Sequence, residues 1–516
     1  MPLPTSLYSG ERTMRQTLRS TFFIFLVFTF LCAAARSEAI PPEPSPLPEC
    51  LAAAFEGPGG EVRAHSFAID FNGRPAVGDL DNDGWPDYVI SSKERIAAYD
   101  VCGRKIWDIK AGTNWEYPGH FFWNYTTYGY VGDADGDGAT EFLHIGSDWR
   151  TLFVRDGRSG RVKYSYALSR DERWMYVFLA RRGDDQDGAA TRIVVASASY
   201  DPTVSLASID LRGGCPRLEW QQRRAVHSQG MFMYPPPQTA DLDGSRGDEI
   251  FHGALALRGN GELLWLADAN SRTDNRGIHA FTVRDIDPSR PGLEAVYSLY
   301  NPLPGEPSII AHGYGAGGKE IWESHSPHRN RHPHQHAVGD FYPGSEGQEI
   351  LVRNGDGYNH WLLNCKGELL RRGWRVHPGW DGDGEYVQAV EWDHRAGTEV
   401  LYVERHMKVV RHRAVRPRLR VVSPLEQVPL TPIFGGGRMD DPQEWVGESR
   451  KGDFNPYEAA VLVIDLFNDG REELLTWGGN QVAIFYNSGS MPVPRRWNDQ
   501  SYRMFKKISC PIYSPR

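Results

Sequence analysis

The chain has 516 residues, a net charge of −9 from 57 basic and 66 acidic side chains, and a high aromatic content of 16 Trp, 23 Tyr and 22 Phe. No basic run and no Lys/Arg stripe interleaved with aromatics is present, which argues against nucleic acid as a partner. The 6 cysteines include no C-x-x-C pair, which argues against zinc.

In chain order, Arg15 and Arg19 come before the apolar stretch STFFIFLVFTFLCAAA, with small residues after it. Residues 1–39 read as an export signal, and the apolar core is too short for a comfortable membrane span. A secreted or periplasmic location is expected, with no stable membrane span. Residues 40–65, containing IPPEPSPLPEC, read as a Pro-rich linker and entry segment. Cys32 falls in the signal. That leaves Cys50, Cys102, Cys215, Cys365 and Cys510, whose spacing fixes no disulfide pairing.

From there an acidic motif repeats. VGDLDNDGWPDYVIS carries Asp79, Asp81, Asp83 and Asp87, and VGDADGDGATEFLHIG carries Asp133, Asp135, Asp137 and Glu141. These acids stand at positions 1, 3, 5 and 9 of the motif. An EF-hand needs its last acid at position 12 and a helix on each side, so that reading fails on spacing. Further copies hold Asp241, Asp243 and Glu249; Asp285, Asp287 and Glu294; Asp340 and Glu349; Glu391, Asp393 and Glu399; and Asp465, Asp469 and Glu473. A weaker copy has Asp184, Asp185 and Asp187 but Arg192 at the ninth position, and is expected to hold no ion. The copies start at 79, 133, 184, 241, 285, 340, 391 and 465.

Alternate carboxylates on a Gly-containing turn suit calcium, so several mostly structural Ca2+ ions are expected, above all at Asp79, Asp133, Asp241 and Asp465. The alternative is a set of solvated acidic turns. After most copies comes a hairpin whose last strand often ends in Trp, as in RIAAYDVCGRKIWDI and ALALRGNGELLWLA. Units of about 50 residues with this content predict an all-β chain, an eight-bladed β-propeller over residues 66–490, with residues 491–516 as a tail. A monomer is expected.

Candidate chemistry clusters just before or after the acidic loops. His120 and Trp123 lie in YPGHFFWNY, His279 precedes the Asp285 loop, and His332, His334 and His336 precede the Asp340 loop. Arg353, Tyr358, Asn359 and His360 lie in RNGDGYNHWLL, and Trp380, Asp381, Asp383 and Glu385 lie in HPGWDGDGEY. A buried histidine bonded to a neighbouring strand is the plain reading of any one of these. Together they supply aromatics that can stack on a ligand and Arg that can pair with carboxylates.

The chain resembles the rhamnogalacturonan lyases of polysaccharide lyase family 11. The resemblance runs through VGDLDNDGWPDYVI, GTNWEYPGHFFWNYTTYGYVGDADGDGATE, GIHAFTVRDIDPSRPGLEAVYSL, GYNHWLLNCKGELL and DLFNDGREELLTWGGNQVAIFYNSG. It implies a calcium-rich eight-bladed propeller that cleaves a pectic backbone by β-elimination, with an acidic plant or microbial polysaccharide as partner. His279, His336, Arg353 and His360 are the catalytic candidates, and His120, Trp123, Tyr358, Asn359 and Trp380 the substrate-binding ones. The family's G-H-G-D-A-x-H phrase survives here only as NRGIHAFTV, which keeps His279. The alternative is a non-catalytic propeller that binds polysaccharide or protein, since similar acidic repeats occur in integrin-like rings.

Overall fold

Short apolar runs bounded by Asp–Gly turns favour strands over helices, and each repeat folds into one sheet. The computed structural model describes residues 46–55, 62–71, 73–113, 129–183, 191–197, 203–225, 237–268, 271–273, 277–328, 333–342, 344–354, 360–374, 383–393, 397–405, 418–422, 429–432, 460–467, 469–478 and 481–487. Among these residues there are eight four-stranded antiparallel sheets.

Sheet one is Arg74–Gly78, Asp87–Ser91, Ile96–Tyr99 and Lys105–Ile109; sheet two is Tyr130–Gly132, Glu141–Ile145, Thr151–Asp156 and Val162–Ala167. Sheet three is Trp174–Arg181, Thr191–Ser197, Thr203–Asp210 and Arg217–Ala225; sheet four is Gln238–Ala240, Glu249–His252, Leu255–Leu257 and Leu263–Leu266. Sheet five is Ile278–Arg284, Glu294–Leu299, Ile309–Gly313 and Glu320–Ser324; sheet six is Pro333–Gly339, Glu349–Asn354, His360–Leu363 and Leu369–Trp374. Sheet seven is Asp383–Val390, Glu399–Arg405, Arg418–Val422 and Pro429–Pro432. Sheet eight is Ala460–Ile464, Glu473–Gly478 and Gln481–Asn487, and its fourth strand is Val62–Ala68, from the other end of the chain. The fold is all-β and propeller-like, as expected from the repeats.

First strands of successive sheets pack side by side: sheet one on two, two on three, three on four, five on six, and six on seven. Second strands are buried on both faces, as Glu294–Leu299 is throughout, whereas the outer strand Val162–Ala167 is largely open. Burial on both faces explains why these strands read as unbroken apolar runs. Sheet six packs Val352 and Trp361 against Val296 and Ile309 of sheet five. Its Leu351 and Leu362 turn the other way, onto Val387 and Val400 of sheet seven.

Neighbouring sheets also interlock through the Trp that the sequence showed on the outer strands. Trp107 donates from Nε1 to Gly157 O at 2.7 Å, Trp220 to Gly259 O at 3.0 Å, and Trp322 to Cys365 O at 3.0 Å. Each acceptor lies in the outer turn of the next sheet. In the same turns Gly160, Gly261 and Gly367 have φ of 68°, 87° and 78° and face the Trp rings.

A short helix, Glu49–Phe55, is the one α-helix among the described residues, and none of their helices is long and apolar enough to cross a membrane. A disulfide joins its Cys50 to Cys102 in the turn after Ile96–Tyr99, with Cα atoms 5.7 Å apart. Cys365 is a buried free thiol among the described residues.

Candidate functional site

Strand direction sorts the functional residues between two ends of the sheets. The acidic loops join first to second strands, so they share one end with the turns joining third to fourth strands. Loops between second and third strands, and connections between sheets, lie at the opposite end. His120, Trp123, Tyr358, Asn359 and Trp380 lie outside the described residues, as do Asp184, Asp185, Asp187, His332 and Asp381.

At the acidic end one contact recurs. The last acid of each motif, at position 9 or 10, accepts a backbone N–H from the start of its own loop. Asp87 takes Leu80 N at 2.7 Å, Glu141 takes Ala134 N at 2.9 Å, Glu249 takes Leu242 N at 2.9 Å, and Glu294 takes Ile286 N at 2.9 Å. Glu349 takes Tyr342 N at 2.9 Å, Glu399 takes Trp392 N at 3.0 Å, and Glu473 takes Leu466 N at 2.7 Å. The last acid is therefore a clamp on the loop, whatever else it binds. The loop Asp79–Asp87 bends through Asn82 at φ 62° and Gly84 at φ 94°. Asp79 accepts from Asp83 N at 3.0 Å and Gly84 N at 2.8 Å.

Three loops gather carboxylate oxygens within 4.8 Å of one another: Asp79, Asp81 and Asp87; Asp133, Asp135 and Glu141; Asp241, Asp243 and Glu249. Burial pushes Asp79 up to about 7 and Glu249 up to about 7, and raises Asp87 well above the carboxylate range. Among the described residues no Lys or Arg forms an ion pair with the acids of the Asp79 loop. Buried Asp241 Oδ1 and buried Glu473 Oε1 have no hydrogen-bond partner there. Buried, crowded carboxylates with orphaned oxygens fit a hard divalent cation such as Ca2+. The Asp79 and Asp241 loops would hold it with those residues, and Glu473 offers the same opening beside Asp465 and Asp469. Other loops are balanced from within: Arg290 Nε meets Asp287 at 3.0 Å beside Asp285 and Glu294, and Ser345 donates to Glu349 beside Asp340. In the second loop Lys163 lies among Asp135, Asp137 and Glu141.

Towards the connection end the sheet register separates the catalytic candidates. His336 pairs with Val352, which pairs with Trp361, and this row faces sheet five. His336 Nδ1 shares a 2.7 Å hydrogen bond with Ser298 Oγ of that sheet, and burial drags its pKa to about 3. Arg353 and His360 are the next step along the same strands, so alternation turns them to the opposite face, towards sheet seven. His336 is 7% exposed, Arg353 1% and His360 1%. Arg353 and His360 are thus brought together, and His336 is not brought to them. His279 stands in Ile278–Arg284 at a register shift. Ser298 was missed by sequence reading, because only the pairing of sheets five and six brings it to His336.

No protein-family model matches the chain. It is 26% identical over 354 residues to the rhamnogalacturonan exolyase YesX of Bacillus subtilis (strain 168), covering 57% of this chain and 55% of the relative. It is 22% identical over 371 residues to the rhamnogalacturonan endolyase YesW of the same organism, covering 60% and 56%. The chain spans about half the length of the curated relatives it matches. The crystal structure of the exotype rhamnogalacturonan lyase YesX superposes with a TM-score of 0.60 at 18% identity, over 88% of this chain and 80% of that one. The Bacillus licheniformis rhamnogalacturonan lyase PL11 superposes at 0.58 with 20% identity, over 89% and 80%. These homologues and structural neighbours are rhamnogalacturonan lyases, and the structural likeness establishes the propeller-like fold.

Proposed function

We propose that this chain is a rhamnogalacturonan lyase-like protein, exported, which cleaves a pectic uronate backbone by β-elimination at the connection end of its sheets. The observation that carries this is the 354-residue match to a rhamnogalacturonan exolyase. Export is supported by the charged and apolar N-terminal stretch and by the Cys50–Cys102 disulfide.

β-Elimination removes the proton at C5 of a uronate and expels the C4 oxygen. That proton is weakly acidic, so the adjacent carboxylate must be neutralised by a cation. Calcium in the Asp79 and Asp241 loops lies at the other end of the sheets and stabilises the fold. Asp381, Asp383 and Glu385 are further acids that the sequence offers ahead of the body of sheet seven, and Arg353, buried in sheet six, is the candidate cation. His120, Trp123, Tyr358, Asn359 and Trp380 would orient the sugars, with His279, His336, Arg353 or His360 nearest the proton transfer. Turnover of rhamnogalacturonan oligosaccharides by His120→Ala and Trp380→Ala tests this placement. A loss of at least about 10²-fold is expected in one of them, the scale of a positioned catalytic group. Undiminished turnover in both would move the site elsewhere.

A second reading, a propeller that binds polysaccharide without cleaving it, is favoured by one observation. His336, Arg353 and His360 are all buried and divided between two faces of one sheet. Saturable oligosaccharide binding with no unsaturated product would establish it.

A further inference from the structure

The outer strands share one irregularity. In sheet one the register steps from Ala98↔Trp107 to Tyr99↔Lys105, which leaves Ile106 as an extra residue. The same step leaves out Lys163 in sheet two, Glu219 in three, Leu264 in four, Ile321 in five and Leu370 in six. Such a bulge re-aims a side chain. It lies beside the turn between third and fourth strands, at the same end as the acidic loop. Where the bulged residue is charged, it reaches towards that loop.

In sheet two, Lys163 Nζ lies 2.8 Å from Asp135 Oδ2, 2.7 Å from Asp137 Oδ2 and 2.7 Å from Glu141 Oε1. Tyr164 completes the group, donating from OH to Asp135 Oδ2 at 3.1 Å. Sheet three shows the same position with charges reversed. Its ninth residue is Arg192 instead of an acid, and its bulged residue is Glu219, 3.8 Å from Arg192 Nη1 and 2.6 Å from Arg182 Nη2. The bulged residue therefore carries the charge opposite to the ninth residue in both sheets that charge it. In sheets one and four it is aliphatic, and the three-acid group has no cation from that strand.

We propose that the Lys163 ammonium is the built-in cation of the Asp133–Glu141 loop, which for that reason takes no calcium, while the Asp79 and Asp241 loops take it. This rests on the calcium part of the functional reading but not on the lyase part. Glu141 Oε1 accepts the ammonium, whereas the equivalent buried oxygen of Glu473 is orphaned. Burial works against the Lys163 charge, but Glu141, Asp135 and Asp137 outweigh it and raise the lysine above its ordinary range. An ammonium and Ca2+ cannot share three oxygens at these distances without strong repulsion.

The test is calcium stoichiometry by native mass spectrometry on the intact mature chain, a readout independent of turnover. Asp135→Asn is expected to leave the number of bound ions unchanged from wild type, and Lys163→Met to raise it by one. Loss of one ion in Asp135→Asn would overturn the proposal. So would a folded Lys163→Met protein with no added ion, or a wild type that binds no calcium at all. If Lys163→Met fails to fold, a wild-type crystal soaked in calcium decides. Ions at Asp79 and Asp241 with the ammonium still on Glu141 support the proposal, and an ion coordinated by Asp135 and Glu141 overturns it.

Discussion

His144 illustrates how single buried groups set the pH limits of this fold. Its ring stacks between Phe142 and Phe153, with Arg155 Nε donating to Nε2 at 2.9 Å and Nδ1 facing Ile145 O at 3.3 Å. Burial, followed by the Arg155 charge, drags its pKa from 6.5 to about 3. Between those values the unfolded chain binds a proton that the folded chain refuses. The stabilising effect is complete above pH 6.5 and is lost as the pH falls towards 3, by about 1.4 kcal/mol per pH unit. The stability advantage of wild type over His144→Gln should therefore shrink from pH 6.5 to pH 4, followed by thermal melts. A gap that does not change with pH would contradict this. The acids of the loops were legible because carboxylates at fixed positions 1, 3, 5 and 9 repeat. The partners of His144, Arg192 and Lys163 were not, because each comes from another strand that only the sheet register brings near.

At the scale of elements, the outer-strand Trp and the turn of the next sheet act as one unit. A Cβ added to Gly367 would lie 2.5 Å from the Trp322 ring, at a φ of 78° that L-residues rarely adopt. Gly367→Ala should cost about 1–3 kcal/mol through overpacking and lower the melting temperature, while Gly344→Ala, with nothing within 4 Å, probes the cost of positive φ alone. Equal effects in the two variants would remove the ring contact from the explanation. The acidic loop is the second unit. Chelation should lower the melting temperature, because an ion at 100 times its Kd contributes about 2.7 kcal/mol per site. Asp79→Asn should take away part of that chelator response, and an unchanged response would remove the Asp79 loop from the calcium set. The Trp itself was visible as a recurrent strand ending. Its hydrogen-bond acceptor was not, because it lies in the following repeat.

For the whole molecule, the strand order ties the two ends of the chain together. Val62–Ala68 pairs along its length with Gln481–Asn487, and the Cys50–Cys102 disulfide fastens the segment before it to sheet one. Closing a loop of 52 residues is worth about 4 kcal/mol in the chain-entropy model. Cys102→Ser should lower the melting temperature without changing calcium stoichiometry, and no thermal change would show that the bond constrains little. The repeat made the sheets legible before any coordinates, because each copy carries its own loop and hairpin. The candidate site was less legible: His336, Arg353 and His360 stand on three strands of one sheet, and chain order does not reveal which face of it each one takes. The proposed elimination on a pectic backbone is tested most directly by ultraviolet absorbance of unsaturated uronate when the wild-type protein meets rhamnogalacturonan with calcium present. A steady rise in absorbance is expected, and a folded, calcium-loaded protein that produces none would contradict it.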